Sequence, residues 1–85
     1  MFNIAYSNQA STFLKRANKI LVKRLLDKIN KLKEEPISHD TKRVVGTKLF
    51  RVRLGVYRVL YEIDYKKDLV GIIKIDKRAR IYSLK

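Results

Sequence analysis

The sequence predicts an α+β domain in which two N-terminal helices pack on a small, mainly antiparallel sheet, in the order β-α-α-β-β-β. Three observations carry this. Apolar residues keep helical spacing between Ala10 and Leu32, alternate with period two between Phe50 and Tyr65, and run almost unbroken from Leu69 to Ile75. At 85 residues the chain has room for a single domain, residues 1–85. No internal repeat or low-complexity segment divides it.

Phe2, Ile4 and Tyr6 alternate as in a short strand, which the turn-forming pair Ser7 and Asn8 ends. Either residue is suited to cap a helix carrying Ala10, Phe13, Leu14 and Ala17 on one face. Asn18 interrupts that pattern. Val22, Leu25, Leu26, Ile29 and Leu32 resume it, with lysines and arginines between them, and predict an amphipathic helix from Lys19 to Glu34. The polar stretch around Pro36, from Glu34 to Thr41, reads as a loop. Beyond it, Phe50, Val52 and Leu54, then Tyr57, Val59, Tyr61, Ile63 and Tyr65, form two strands meeting at Leu54 and Gly55. Lys66, Lys67 and Asp68 make the next turn, and Leu69 to Ile75 has the composition of a strand covered on both faces. Residues 77 to 82 are candidates to extend it.

Composition narrows the function. The chain has no cysteine, which excludes disulfides, thiolate nucleophiles and cysteine-ligated metals and fits a reducing, cytoplasmic setting. The N-terminal residues lack the basic start and apolar run of a signal peptide, and no apolar stretch approaches the roughly 18 residues a spanning helix needs. The positive signal is charge: 21 Lys and Arg face 8 Asp and Glu, for a net charge of +13, which predicts a polyanionic partner. A thermophile's charged surface would raise Glu together with Lys, and here the acids are scarce.

The charge is densest between Asp40 and Glu62, where Lys42, Arg43, Lys48, Arg51, Arg53 and Arg58 occur without one acidic residue. A two-residue loop at Leu54 and Gly55 would set Val52 against Tyr57, Phe50 against Val59 and Arg51 against Arg58, with Arg53 further along the same face. Like charges directly opposite are destabilising and need compensation, by solvent and salt or by a bound phosphate. Arginine's planar fork takes two phosphate oxygens at once, and rigid strands preorganise such forks into an anion site.

These residues also carry a family resemblance. The run RVRLGVYRVLYEID, an apolar strand, and then DKRARIY resemble the RelE and ParE superfamily of toxins, over most of the chain. The resemblance to RelE implies the two-helix, small-sheet fold and a toxin of a type II toxin–antitoxin system. Such a toxin cuts messenger RNA in the ribosomal decoding site without a metal or other cofactor, by attack of a ribose 2′-hydroxyl on the adjacent phosphate. It implies catalytic roles for Arg51, Arg53, Arg58, Arg78 and Tyr82, and RNA contacts for Lys48, Lys77 and Arg80. Arg58 and Arg78 would bind the scissile phosphate and stabilise its transition-state charge. Tyr82 would stack on a base or assist proton transfer, unless it is a packing residue. Familiar bacterial members carry lysines where this chain has Arg51 and Arg53, and arginine is a poor general base near neutrality. The implied partners are the ribosome, messenger RNA and an acidic RelB-like antitoxin, with the toxin monomeric when free and hetero-oligomeric in the complex. A ParE-like gyrase inhibitor without nuclease activity and a non-catalytic RNA-binding module are the alternatives.

The remaining candidates read more plainly. His39 is the sole histidine and suits an exposed loop. Tyr57, Tyr61 and Tyr65 fit the core better than a base-stacking platform. The basic helix lacks the aromatic anchors of a membrane-surface helix. Asp64, Asp68 and Asp76 show no paired spacing for a metal-dependent or two-carboxylate mechanism, and salt links to neighbouring lysines account for them.

Overall fold

Ser7 joins the first two elements. It ends β1 (Asn3–Tyr6) and caps α1 (Asn8–Arg16), its Oγ accepting from the Ala10 N–H at 3.1 Å. Asn18 does the same for α2 (Lys19–Lys31), its Oδ1 accepting from the Leu21 N–H at 2.8 Å. The break in helical spacing at Asn18 is thus the start of a second helix, satisfying an N–H that would otherwise be orphaned. Lys15 and Arg16, then Lys28 and Lys31, occupy the last turns, where cations complement the helix dipole. α2 ends three residues short of the expected Glu34, loosening into turns ahead of Pro36.

The computed structural model describes residues 1–77. After α2 come β2 (Thr41–Arg43), β3 (Phe50–Leu54), β4 (Tyr57–Asp64) and β5 (Leu69–Lys77). The sheet order is β1-β5-β4-β3-β2, with β1 parallel to β5 and every other pair antiparallel. The expected α+β architecture is present, with one strand more than expected. β2, only three residues long, is too short to leave a periodic signal and begins at Thr41, the last residue of the expected loop.

The β3–β4 hairpin corrects the expected register by two residues. Leu54 pairs with Tyr57, Arg53 with Arg58, Val52 with Val59 and Phe50 with Tyr61, so the loop is Gly55 and Val56. Gly55 has φ +59°, the left-handed backbone that the first loop position of a type II′ turn requires and that leucine would resist. The shift improves the pairing on the apolar face, where the Phe50 and Tyr61 rings stack with centroids 5.8 Å apart.

Both helices cover that face. Ala10, Leu25, Ile29 and Leu32 are buried against Val52, Val59, Tyr61, Val70, Ile72 and Ile75. The spacing of the β5 residues changes from two to three because the β4–β5 register slips after Leu60, leaving Ile73 as the extra residue of a bulge. α1 holds that bulge. Ser7 Oγ donates to the Ile73 carbonyl at 2.6 Å, and the Gln9 side-chain amide both donates to the Ile75 carbonyl at 2.8 Å and accepts its N–H at 2.9 Å. β1 ends at Tyr6, opposite Ile72, so Gln9 continues the pairing where the strand has run out and blunts the exposed edge.

Tyr61 is fully buried, and its hydroxyl donates to the Pro36 carbonyl at 2.5 Å, tying the loop to the core. Burial pushes this phenol up to about 12. Tyr57 meets Phe13 edge-on, whereas Tyr65 is exposed and touches only the Phe2 ring among its aromatic neighbours in the described residues. Tyr61 therefore belongs to the core, as its spacing suggests, Tyr57 is half-buried against Phe13, and Tyr65 is exposed. His39 is exposed in the loop, as expected.

Candidate nucleic-acid interface

Alternation on β3 and β4 sends Arg51, Arg53 and Arg58 to the face opposite the helices. Residue pairing across the sheet sorts this face into rows. One row runs Arg53, Arg58, Asp76 across β3, β4 and β5. The adjacent row runs Lys42, Arg51, Leu60, Lys74 from β2 to β5. The cross-strand arginine pair expected from the sequence is present but is Arg53 with Arg58, and Arg51 stands in the next row.

The three arginines sit at different depths. Arg58 is 1% exposed on the central strand, Arg51 is partly buried, and Arg53 is exposed. A guanidinium as deeply buried as Arg58 calls for an anionic neighbour, because charge is costly to remove from water unpaired. The register places Asp76 directly opposite it, while Arg58 Nε and Nη2 are buried without a hydrogen-bond partner among the described residues. Charge in the two rows is otherwise positive, and the strands hold these side chains at fixed spacing.

The other expected RNA-binding residues are dispersed. Lys48 is exposed in the β2–β3 connection, past the Phe50 end of β3, whereas Lys77 is exposed at the far end of β5, opposite Tyr57. Lys77 therefore leaves the sheet on the helix side, away from the Arg58 row. Arg78, Arg80 and Tyr82 lie outside the described residues. Three residues join the face without having been singled out as site candidates: Lys42, Lys74 and Asp76. Lys42 depends on β2, and Lys74 faces this way because the bulge at Ile73 reverses the alternation. The expectation that the sheet's aspartates serve neighbouring lysines also changes: Asp64 Oδ1 accepts the backbone N–H groups of Lys66 and Lys67, at 3.0 and 3.1 Å, and shapes the turn. Among the described residues no group of three or more His, Asp or Glu side chains is placed to hold a metal.

A family model described as the ParE toxin of type II toxin–antitoxin system, parDE, matches residues 4–82, which is nearly the whole chain. The chain belongs to this toxin family. A search of curated protein sequences gave no match. Among solved structures the toxin is similar to the archaeal RelE–RelB complex from Pyrococcus horikoshii OT3, with TM-score 0.80 and 29% identity over 93% of this chain and 97% of that one. It is also similar to the toxin–antitoxin complex RelBE2 from Mycobacterium tuberculosis, with TM-score 0.76 and 25% identity over 91% of this chain and 98% of the other. The intact Escherichia coli RelBE complex matches in fold, with TM-score 0.81 at 18% identity over 91% of this chain and 96% of that chain. The RelE and ParE resemblance of the sequence is borne out, with RelE-like structures prominent among the matches. Among the described residues no helix of the toxin is long and apolar enough to cross a membrane.

Proposed function

We propose that this toxin halts translation by cutting messenger RNA in the ribosomal decoding site. The observation that carries the reading is Arg58, buried on the central strand beside exposed Arg53, on the sheet face that neither helix covers. In the proposed reaction a ribose 2′-oxygen forms a bond to the adjacent phosphorus as the bond to the 5′-oxygen of the next nucleotide breaks. The proton leaves the 2′-hydroxyl and one returns to the departing 5′-oxygen. The phosphorane-like transition state gains negative charge, and cations fixed on strands stabilise it without reorganising. Arg58 and Arg53 contact the phosphate, Arg51 and Lys42 extend the track along the RNA backbone, and Arg78 and Tyr82 complete the site. Lys48, Lys77 and Arg80 contact RNA further out. This chemistry asks for no metal or cofactor.

The proposed regulator is an acidic, RelB-like antitoxin that covers the basic face in the cytoplasm, the free toxin being a monomer. The relatives solved as complexes with RelB support this partner. The test is a ribosome-programmed cleavage assay. The messenger is expected to be cut by the toxin and spared by Arg53→Ala, a substitution at an exposed position; an intact messenger with the unaltered protein would overturn the reading. The match to the ParE family model favours one second reading, a gyrase inhibitor that cuts no RNA. A supercoiling assay with the same protein separates the two.

A further inference from the structure

We propose that the groove between α1 and the paired ends of β4 and β5 takes an unpaired nucleotide of the RNA, the neighbour of the phosphate held by the arginine row. The proposal rests on reading that row as the phosphate site. The groove has a volume of about 690 Å³, within the range of small-ligand sites. Phe13 and Tyr57 line it, their rings edge to face with centroids 5.8 Å apart. Both are only partly buried. Rings that meet in this way leave the faces of the edge-on ring uncovered by its partner, and an uncovered ring face is what an unstacked base lies on. Along one wall Asn8, Thr12 and Arg16 follow at four-residue spacing, which puts them on one side of α1, and all three are exposed. They set an amide, a hydroxyl and a guanidinium beside the rings.

Charge and position both favour RNA over an apolar peptide. Residues 1–26 include Lys15, Arg16, Lys19, Lys23 and Arg24 and no acid, so the α1 wall is positive. Across from Tyr57 the sheet registers Lys77, which is exposed. Asp76 lines the groove and also stands in the row with Arg53 and Arg58, so the two surfaces meet at the end of β5. β1 ends opposite Ile72, and past that point only the Gln9 side chain pairs with the edge of β5 among the described residues, which leaves a crossing from the sheet face to the groove. Tyr57 and Arg58 are consecutive on β4 and point to opposite faces, so base and phosphate are held by neighbouring residues of one strand. Aromatic faces beside cations are the usual means of holding single-stranded RNA.

A set of short 2′-O-methyl RNAs, each carrying the fluorescent base 2-aminopurine at one position, tests this without cleavage, since stacking quenches that base. Binding to the toxin is expected to quench one position. Tyr57→Leu should abolish the quench and weaken binding by about 5- to 150-fold, the range for loss of one base stack. Tyr57→Phe should keep both. Arg16→Glu should weaken binding more than Arg24→Glu, an equal change of charge at an exposed α2 position outside the groove. Because Arg16 is exposed, its variant carries the test if Tyr57→Leu does not fold. No quenched position, a quench that survives in folded Tyr57→Leu, or an Arg16→Glu protein that binds no more weakly than Arg24→Glu each overturns the proposal. Unchanged RNA binding by the groove variants with weaker capture of an acidic, Glu- and Leu-rich helical peptide would assign the groove to a polypeptide and overturn it as well. A toxin that cuts the messenger in the ribosome assay yet quenches no base would keep the nuclease reading and lose this one; a quenched base with an uncut messenger would do the reverse.

Discussion

Strands β3 and β4 have two faces made from alternate residues of the same segments, and the two obey opposite rules. On the helix side, Val52, Val59 and Tyr61 are buried and pair apolar with apolar. On the other side, Arg53 opposes Arg58 and Arg51 opposes Leu60, an arrangement that stabilises nothing by itself. The first face holds the fold, and the second draws on that stability to keep cations close together. The sharpest way to break this comparison is to make matching truncations on each side. Ile72→Ala, at a fully buried position, is expected to cost about 2–5 kcal/mol in denaturant unfolding, which is a large part of a small domain's stability. Arg53→Ala should change stability by no more than about 0.5 kcal/mol while weakening RNA binding and reducing its salt dependence by about one unit of slope.

Arg58 crosses the divide, since it is buried like a core residue and charged like a surface one. Arg58→Met, which keeps most of the volume, is expected to leave stability unchanged or slightly higher, because it removes a buried cation whose Nε and Nη2 have no hydrogen-bond partner among the described residues. The same change should lower ribosome-dependent cleavage by about 100- to 1000-fold, the usual effect of removing one preorganised transition-state contact. A stability loss as large as that of Ile72→Ala would show instead that Arg58 serves the core. Gln9 tests the edge of the helix face. Gln9→Ala leaves the Ile75 N–H and carbonyl without their side-chain partner and should cost about 1–3 kcal/mol by thermal or denaturant unfolding. Gln9→Glu, which keeps the acceptor and loses the donor, should fall between.

The helix face was legible in the sequence because burial imposes a period. Ala10, Leu25, Ile29, Val52 and Val59 are core residues and were marked as apolar-periodic positions before any coordinates. The arginine face was legible in membership and misread in pairing. Its register depends on which two residues form the loop, and that in turn on the positive φ of Gly55, which no apolar pattern encodes. Shifting the loop by one residue shifts the partner by two, so both registers keep the apolar face apolar and set one arginine opposite Arg58. Asp76 was visible as a carboxylate but not as the residue registered opposite Arg58, because the bulge at Ile73 hides β5 alternation inside an apolar run. Lys42 was hidden by the brevity of β2, and Gln9 by the absence of any sequence signal for a side chain that imitates a strand.

The smallest expected effect lies in the loop between the two faces. Lys28 Nζ donates to Asp40 Oδ2 at 2.5 Å, and Ser38 Oγ donates to Oδ1 at 2.5 Å, which fastens the end of α2 to the residues leading into β2. The lysine hydrogen bond, then the serine, hold the Asp40 carboxyl down to about 2 from its ordinary 3.8. Because the folded value is the lower one, the contribution is fully present above the ordinary value and is lost as pH falls through it toward about 2. Both side chains reach solvent, at 24% and 39% exposure, so screening keeps the effect within about 1 kcal/mol. Asp40→Asn should therefore leave stability at neutral pH lower by a few tenths to about 1 kcal/mol and flatten the acid limb of a melting-temperature profile between about pH 4 and 2. High salt should shrink the difference between the two proteins. If the acid limb is unchanged in the variant, the loop is held by the Tyr61 and Thr41 hydrogen bonds instead, and the β2 end of the arginine face is anchored from the core side alone.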